Sequence, residues 1–260
     1  MNILGIDAFV PEAALRRVRI YRLSRTLRRY QSRTLNELPA AIEKASEMGD
    51  IRRLGREVRP AYRKDPVSAA KYAEAPRFWL FVNTLRAAEL GLHEAQRRRI
   101  LDIGCGPGFF MAVARSLGHD CEGVDAPESH LSAVERRVYG GLTQALKCRE
   151  GVKPLFVERF VRLPFDDGSY DLITAFWVCF NRHRQADEWG VEEWRFFAED
   201  ALRCLRQGGR VALDLVENRE RYGDLRFYDE ATLAYFRAQG TVVGNRVILA
   251  RPCASAHRRT

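Results

Sequence analysis

Apolar positions recur in two different rhythms along this chain, and the rhythm changes near residue 69. Before that point, in PEAALRRVRIYRLSRTLRRYQSR (11–33), Ile20, Leu23, Leu27 and Tyr30 stand three and four apart, with arginines filling most positions between them. That spacing predicts a basic amphipathic helix. A second, more polar helix is expected over about 39–57. RPAYRKDP (59–66), a charged stretch with a proline near each end, reads as a linker. Further on, PRFWLFVNTLRAAEL (76–90) opens on Pro76 and is followed by Gly91, the signature of a helix with both ends marked. Short apolar runs then alternate with helix-period segments. Strands are expected over 99–103, 121–124, 155–160 (the weakest), 170–178 and 210–216. Helices are expected over 109–117, 128–139, 188–206 and 229–239. TVVGNRVILA (241–250) reads as a closing strand or short hairpin turning at Gly244-Asn245. Such alternation predicts an α/β fold, a doubly wound and mostly parallel sheet covered on both faces, with an N-terminal helical extension. The expected divisions are 1–66 for the basic extension, 67–252 for the sheet domain and 253–260 for a disordered tail.

Charge sharpens that division. The net charge is +9, and residues 1–64 hold 15 Lys and Arg against 7 Asp and Glu, so almost all the excess lies in the extension. The sheet domain is close to neutral. Such an arm can lie on an anionic membrane surface, pack on the domain or a second copy, or grip nucleic-acid phosphates. Its regular apolar stripe, without interleaved Gly, Asn or aromatic platforms, favours membrane or packing over nucleic acid. The overall balance, 46% hydrophobic and 30% charged, is that of a soluble globular protein. No apolar run approaches the ~18 residues of a membrane span. No basic segment precedes the first apolar stretch as a secretory signal requires, so a cytoplasmic location, with peripheral membrane contact through 11–33 left open, is expected. Six cysteines (105, 121, 148, 179, 204 and 253) form no C-x-x-C pair and read as reduced, mostly buried thiols rather than metal ligands.

The chemistry concentrates in RILDIGCGPGFFMAVARSLGHDCEGVDAPESHL (99–131). A short apolar strand runs into Asp102, Gly104, Gly106 and Gly108 and then straight into a helix. In a doubly wound sheet this turn lies at the carboxyl edge, where ligands bind. Glycines there permit a tight turn and close approach to the backbone. The dinucleotide fingerprint G-x-G-x-x-G is broken, because the third glycine comes one residue early and Phe109 holds its place. Pro107 also removes a backbone donor that a phosphate cradle would use. A nicotinamide-dependent oxidoreductase is thus the weakest reading, and no Gly-Lys-Ser/Thr follows to make a P-loop. Asp125, about 20 residues past the loop at the tip of the second strand, is placed to accept both hydroxyls of a ribose.

Four stretches in order then resemble the class I S-adenosylmethionine-dependent methyltransferases, especially the branch acting on small molecules, lipids and glycans. DIGCGPG (102–108) is similar to the family's first motif, and EGVDAPESHL (122–131) to its acidic second-strand end. RLPFDDGSYDLITAFWV (162–178) is similar to the approach to its fourth strand, and LRCLRQGGRVAL (202–213) to the helix and Gly-Gly turn before its fifth. The resemblance implies a transferase with S-adenosyl-L-methionine as cofactor. It assigns Asp102, Gly104 and Gly106 to the methionyl end, Cys105 and Gly108 to the cofactor site with them, Asp125 to the ribose and Ala126 to the adenine. It sets Phe176 facing the methyl group or its acceptor. The third-strand end carries Glu158-Arg159-Phe160 where the family has an acidic residue for the adenine amine, so Glu158 or the neighbourhood of Phe160 takes that place. Tyr72 and Arg77 are expected lid contacts over the cofactor. The family's long closing hairpin is either shortened here or lacks a strand.

Past the fourth strand the sequence reads Phe176-Trp177-Val178-Cys179-Phe180-Asn181-Arg182-His183. The Asn/Asp-Pro-Pro-aromatic motif of many nucleic-acid base methyltransferases is absent. The resemblance places His183 where small-molecule members carry a histidine, and an imidazole suits removal of a hydroxyl proton. His183 is therefore the expected general base of an O-methyl transfer, with Trp177, Asn181 and Trp194 near the acceptor. The expected acceptor is a small molecule, glycan or lipid-linked intermediate. Two alternatives stand beside it: an RNA or protein methyltransferase guided by the basic arm, and a non-catalytic cofactor-binding domain. Oligomeric state is left open.

Overall fold

The computed structural model describes residues 72–73, 75–127, 133–178, 180, 188–215 and 228–252. The basic extension, its expected helices and linker, and the C-terminal tail lie outside them. Helix α1 (Pro76–Glu89) leads into β1 (Arg99–Ile103), α2 (Phe109–Ser116), β2 (Asp120–Asp125), α3 (Ala133–Ala145) and β3 (Val152–Pro154). β4 (Tyr170–Phe176), α4 (Val191–Cys204), β5 (Leu205–Asp214), α5 (Glu230–Gln239), β6 (Thr241–Val243) and β7 (Arg246–Ala250) follow. The seven strands form one sheet in the order β3-β2-β1-β4-β5-β7-β6. β1 to β5 pair in parallel, and β7 runs antiparallel to both β5 and β6. The chain winds outward from β1 to β3 and then returns to place β4 on the other side of β1. That reversal opens a crevice at the carboxyl ends of β1 and β4.

Alternation along the strands sorts residues between two cores. Ile100, Leu172, Phe176 and Ala212 face α1, α2 and α3, where Leu80, Ala87, Phe110, Val113, Val138 and Leu142 are buried. Leu101, Ile103, Ile173, Val211, Leu213, Val247 and Leu249 face α4 and α5, against Trp194, Phe197, Ala201 and Phe236. α1 follows from its sequence: Pro76 takes a first-turn position where no N–H is needed. Its buried Trp79, Leu80, Asn83, Thr84 and Ala87 recur at helical spacing on one side.

Several expectations are corrected. The third strand occupies Val152–Pro154, not 155–160. It pairs only three positions with Gly123–Asp125, and one further bond runs from the Leu155 N–H to the Asp125 carbonyl at 2.7 Å. Pro154 offers no N–H, as an edge strand allows. The apolar residues that imitate a strand, Leu155 and Val157, instead pack sideways on the α4 core as the chain leaves the sheet. β5 begins at Leu205 rather than 210, directly after α4, and the Gly-Gly pair lies inside an irregular stretch of it. Helix α3 runs on to Ala145, six residues past its expected end. The closing element is, as expected, a short hairpin turning at Gly244-Asn245.

The LPF-DGS approach to β4 is a clipped loop. Asp200 on α4 accepts the Leu163 N–H at 2.6 Å and the Arg203 Nε–H at 2.7 Å. Arg203 in turn donates to the carbonyls of Leu163 and Phe165 and to Asp167. One buried carboxylate and one guanidinium thereby fix where β4 starts, and so where it ends.

Candidate active site

The glycine loop bridges β1 and α2. Backbone N–H groups of Gly104 and Cys105 both donate to the Val124 carbonyl, at 2.7 and 3.1 Å, and tie the exit of β1 to the end of β2. Gly104, Gly106 and Gly108 have φ of 68°, 54° and 92°, a region that costs other residues about 1–2 kcal/mol. Space enforces glycine as well. A Cβ on Gly104 would lie 2.4 Å from the Val178 side chain, and one on Gly108 2.8 Å from that of Cys148. The Cys105 thiol is buried under the loop and donates to the Gly106 carbonyl at 3.5 Å. Burial pushes it well above the usual thiol range, so it is an inert packing group. Cys121, Cys148 and Cys204 are likewise buried and unpaired with one another, as expected.

Asp102 lies on the α1–α2 side of β1. It is buried, and its carboxylate accepts the Thr174 hydroxyl from β4 at 2.7 Å. Burial raises its pKa to about 7, opposed by the Thr174 hydroxyl and by the positive charge of Arg86. A carboxyl so poised becomes fully ionised when a cation such as an ammonium group comes to rest beside it. Asp125 ends β2 on the same side of the sheet, and its carboxylate accepts the Ala126 N–H at 2.8 Å. Ala126 follows it, partly buried. Tyr72 and Tyr139 lean over the loop: a Cβ on Gly106 would meet their hydroxyls at 3.5 and 3.6 Å.

At the exit of β4, Phe176 is buried between two guanidinium groups, with Arg86 4.5 Å and Arg246 5.1 Å from its ring centre. Trp177 follows at φ 55°, left-handed for a bulky residue, with 44% of its surface exposed. Its ring covers Arg86 at 4.7 Å and meets the edge of Trp79 at 5.9 Å. Arg86 is ion-paired with buried Asp214 at 3.3 Å. Asp214 also binds Arg246, which reaches Glu89 at 3.0 Å. This buried cluster fastens α1 to the ends of β5 and β7, beneath the β4 exit.

The structure therefore brings Asp102, Gly104, Cys105, Gly106, Gly108, Asp125, Ala126, Phe176, Trp177 and Tyr72 to one edge of the sheet. Other candidates stand elsewhere. Phe160 sits in a turn at φ 56°, 56% exposed, its ring 5.8 Å from Phe196 on α4. Glu158 is an exposed residue of the same irregular segment, not a strand end. Arg77 is exposed at the start of α1. Trp194 is buried in the α4–α5 core among Phe180, Trp189, Phe197 and Phe236. Asn181 and His183 lie outside the described residues. Sequence reading passed over Thr174, Arg86, Asp214, Arg246 and Tyr139. A hydroxyl inside an apolar strand and an arginine on the apolar side of a helix were the available signals for the first two.

A family model described as a methyltransferase domain matches residues 101–213, from β1 to β5 and across the whole glycine-loop edge. Residues 101–213 thus carry the match to a methyltransferase domain, and S-adenosylmethionine is the cofactor that this resemblance implies. The site suits that group: a buried carboxyl at the glycine loop for the ammonium, a glycine backbone in close reach, and a strand-tip carboxylate for the ribose. The chain is 29% identical over 161 residues to the 18S rRNA (guanine-N(7))-methyltransferase RID2 of Arabidopsis thaliana, over 58% of this chain and 50% of the relative. The chain thus spans about half the length of that curated relative. Among solved structures it is similar to a protein of Pyrococcus horikoshii (17% identity, 68% of this chain and 69% of that one, TM-score 0.45). Another is a SAM-dependent methyltransferase of Aquifex aeolicus (20% identity, 60% and 76%, TM-score 0.40). No helix among the described residues is long and apolar enough to cross a membrane.

Proposed function

We propose that this methyltransferase transfers a methyl group to an oxygen of a small-molecule, glycan or lipid-linked acceptor that enters over Trp177. The observation carrying this reading is the exposed Trp177 ring, held in a left-handed backbone conformation at the exit of β4 and seated on Arg86 and Trp79. Strained conformations of this kind persist where the surroundings impose them, and they gather at working sites. An aromatic face half open to solvent suits the apolar face of a sugar or a planar ring. When bound, S-adenosylmethionine supplies an electrophilic methyl group on a sulfonium. The protein's own contribution is alignment and proton removal. Asp102 and the loop backbone bind the methionyl end, Asp125 the ribose, Phe176 walls the side toward the sheet, and His183 takes the acceptor's proton. Residues 11–33 bring the enzyme to an anionic membrane surface where a lipid-linked acceptor resides.

The rRNA relative favours a second reading, a guanine nitrogen in RNA, with the basic residues 1–64 gripping phosphates. The earlier weighting against nucleic acid gets no support from that relative. Labelled S-adenosylmethionine incubated with the full chain and separate RNA, glycan and lipid fractions distinguishes the two. Label in glycan or lipid, greatly reduced in His183→Ala and with a raised KM in Trp177→Ala, supports the first reading. Label confined to RNA replaces it with the second.

A further inference from the structure

Helix α1 has polar groups inside and rings outside. Its buried side takes Asn83, Thr84 and Arg86 along with Trp79, Leu80 and Ala87. The polar groups there are used within the helix. The Asn83 amide donates to the Trp79 carbonyl at 2.8 Å, the Thr84 hydroxyl to the Leu80 carbonyl at 2.7 Å, and Arg86 to the Asn83 side-chain oxygen at 3.1 Å. The outward side shows Phe78, 54% exposed, and Phe81, 39% exposed, with Val82 and Leu85 half-buried beside them. These four stand at i, i+3, i+4 and i+7, a second apolar stripe as regular as the one facing the core. No hydroxyl or amide interrupts it. The one carboxylate of α1, Glu89, is bonded to Arg246 at 3.0 Å, and Arg77 is exposed at the head of the helix. The stripe runs on to the mouth of the site: Phe78 meets Trp79 edge to face at 5.6 Å, and Trp79 meets the exposed Trp177 at 5.9 Å.

We propose that the outward stripe of α1 beds into an anionic lipid surface and turns the Trp177 mouth toward the bilayer. The inference rests on the reading of the acceptor as lipid-linked. An apolar helix face in water calls for a cover, and the charge around it selects which. The chain ahead of α1 holds 15 Lys and Arg against 7 Asp and Glu over residues 1–64, so cations and exposed rings belong to one connected region. Apolar side chains set beside cations are the chemistry of an interfacial helix on anionic lipid. A second copy on the same stripe would bring two positive arms together. An RNA base would find rings but no amide or hydroxyl on the stripe to read its edge, and two of the four side chains are aliphatic.

The test measures partition of the full chain onto vesicles of phosphatidylcholine with phosphatidylglycerol, and of phosphatidylcholine alone. The unaltered protein, Phe78→Ser, Phe81→Ser, the double serine variant and the double leucine variant are compared, each with its Tm. Each serine should weaken partition onto the anionic vesicles by roughly 10-fold, and the double variant by roughly 100-fold, with Tm little changed. Leucine keeps the apolar area and should hold partition within about 3-fold. Bromine-bearing lipid should quench the indole fluorescence of the unaltered protein, and the quench should be much smaller in Trp177→Phe. Equal partition of the double serine variant overturns the proposal and leaves the arm to hold the membrane alone. So does loss of partition in the leucine variant, a quench unchanged in Trp177→Phe, or a dimer of the unaltered chain that the serines dissolve. No partition by the unaltered chain overturns it together with the membrane reading itself, a result distinct from equal partition in the variants.

Discussion

The two faces of the sheet are packed with different chemistry. Toward α4 and α5 the core is a block of aromatic rings: Phe180 stacks on Trp189 at 4.5 Å, and Trp194 and Phe197 complete the cluster. Toward α1 and α2 the strand positions carry Asp102, Thr174, Asp214 and Arg246, and α1 answers with Arg86 and Glu89. Buried charges are costly unless paired and hydrogen-bonded. A fold selected for stability alone would fill both faces with apolar groups. The difference implies a division of labour, in which the aromatic face holds the sheet together and the charged face holds the cofactor edge in shape.

That division can be broken from either side. Trp194→Ala should carry the largest stability loss, about 3–5 kcal/mol by guanidinium unfolding. The folded fraction should bind S-adenosylhomocysteine with nearly unchanged affinity. A collapse of affinity at full folding would put Trp194 back at the acceptor site. Arg86→Met leaves Asp214 with Arg246 as its remaining partner, so a smaller loss of about 2–3 kcal/mol is expected. Here turnover should fall as well, since the support under Trp177 is gone, and Arg86→Lys should restore little because a planar group is stacked there. Full turnover in Arg86→Met would separate the charged cluster from function.

The smallest effect is a pH dependence. The Asp102 pKa of about 7 lies above that of an unfolded aspartate, so folding takes up a proton between about pH 4 and 7. Asp102 therefore costs nothing below pH 4 and its full penalty applies above pH 7. Stability should rise modestly at pH 7.5 in Asp102→Asn. Cofactor affinity should climb from pH 6 to 8 in the unaltered protein, as the carboxylate that pairs with the ammonium becomes ionised. In Asp102→Asn that climb should disappear. A slope that survives there would assign the titration to another group.

How much of this was legible in the sequence follows the same division. The glycine loop, Asp125 and the strands β1, β2 and β4 are local patterns, and each came within a residue or two of its observed place. The β3 error arose because Leu155 and Val157 alternate as a strand would, while Pro154 and the edge position end the pairing before them. Trp194 shows the limit of proximity in sequence: it lies 17 residues after Trp177, yet its side of α4 turns it into the opposite core. Arg86 and Asp214 are 128 positions apart, and neither announces the other until α1 is laid across β5. Tyr139 was hidden on a helix whose sequence pattern marked only its apolar side.

The most direct test is calorimetric titration of the full chain with S-adenosylmethionine, S-adenosylhomocysteine and NAD, repeated for Asp125→Ala. Binding of the first two and not of NAD is predicted. In the variant, loss of two hydrogen bonds to a charged group should weaken affinity by roughly 100-fold or more. Binding of NAD, or equal affinity in the variant, would contradict the assignment of this edge to S-adenosylmethionine.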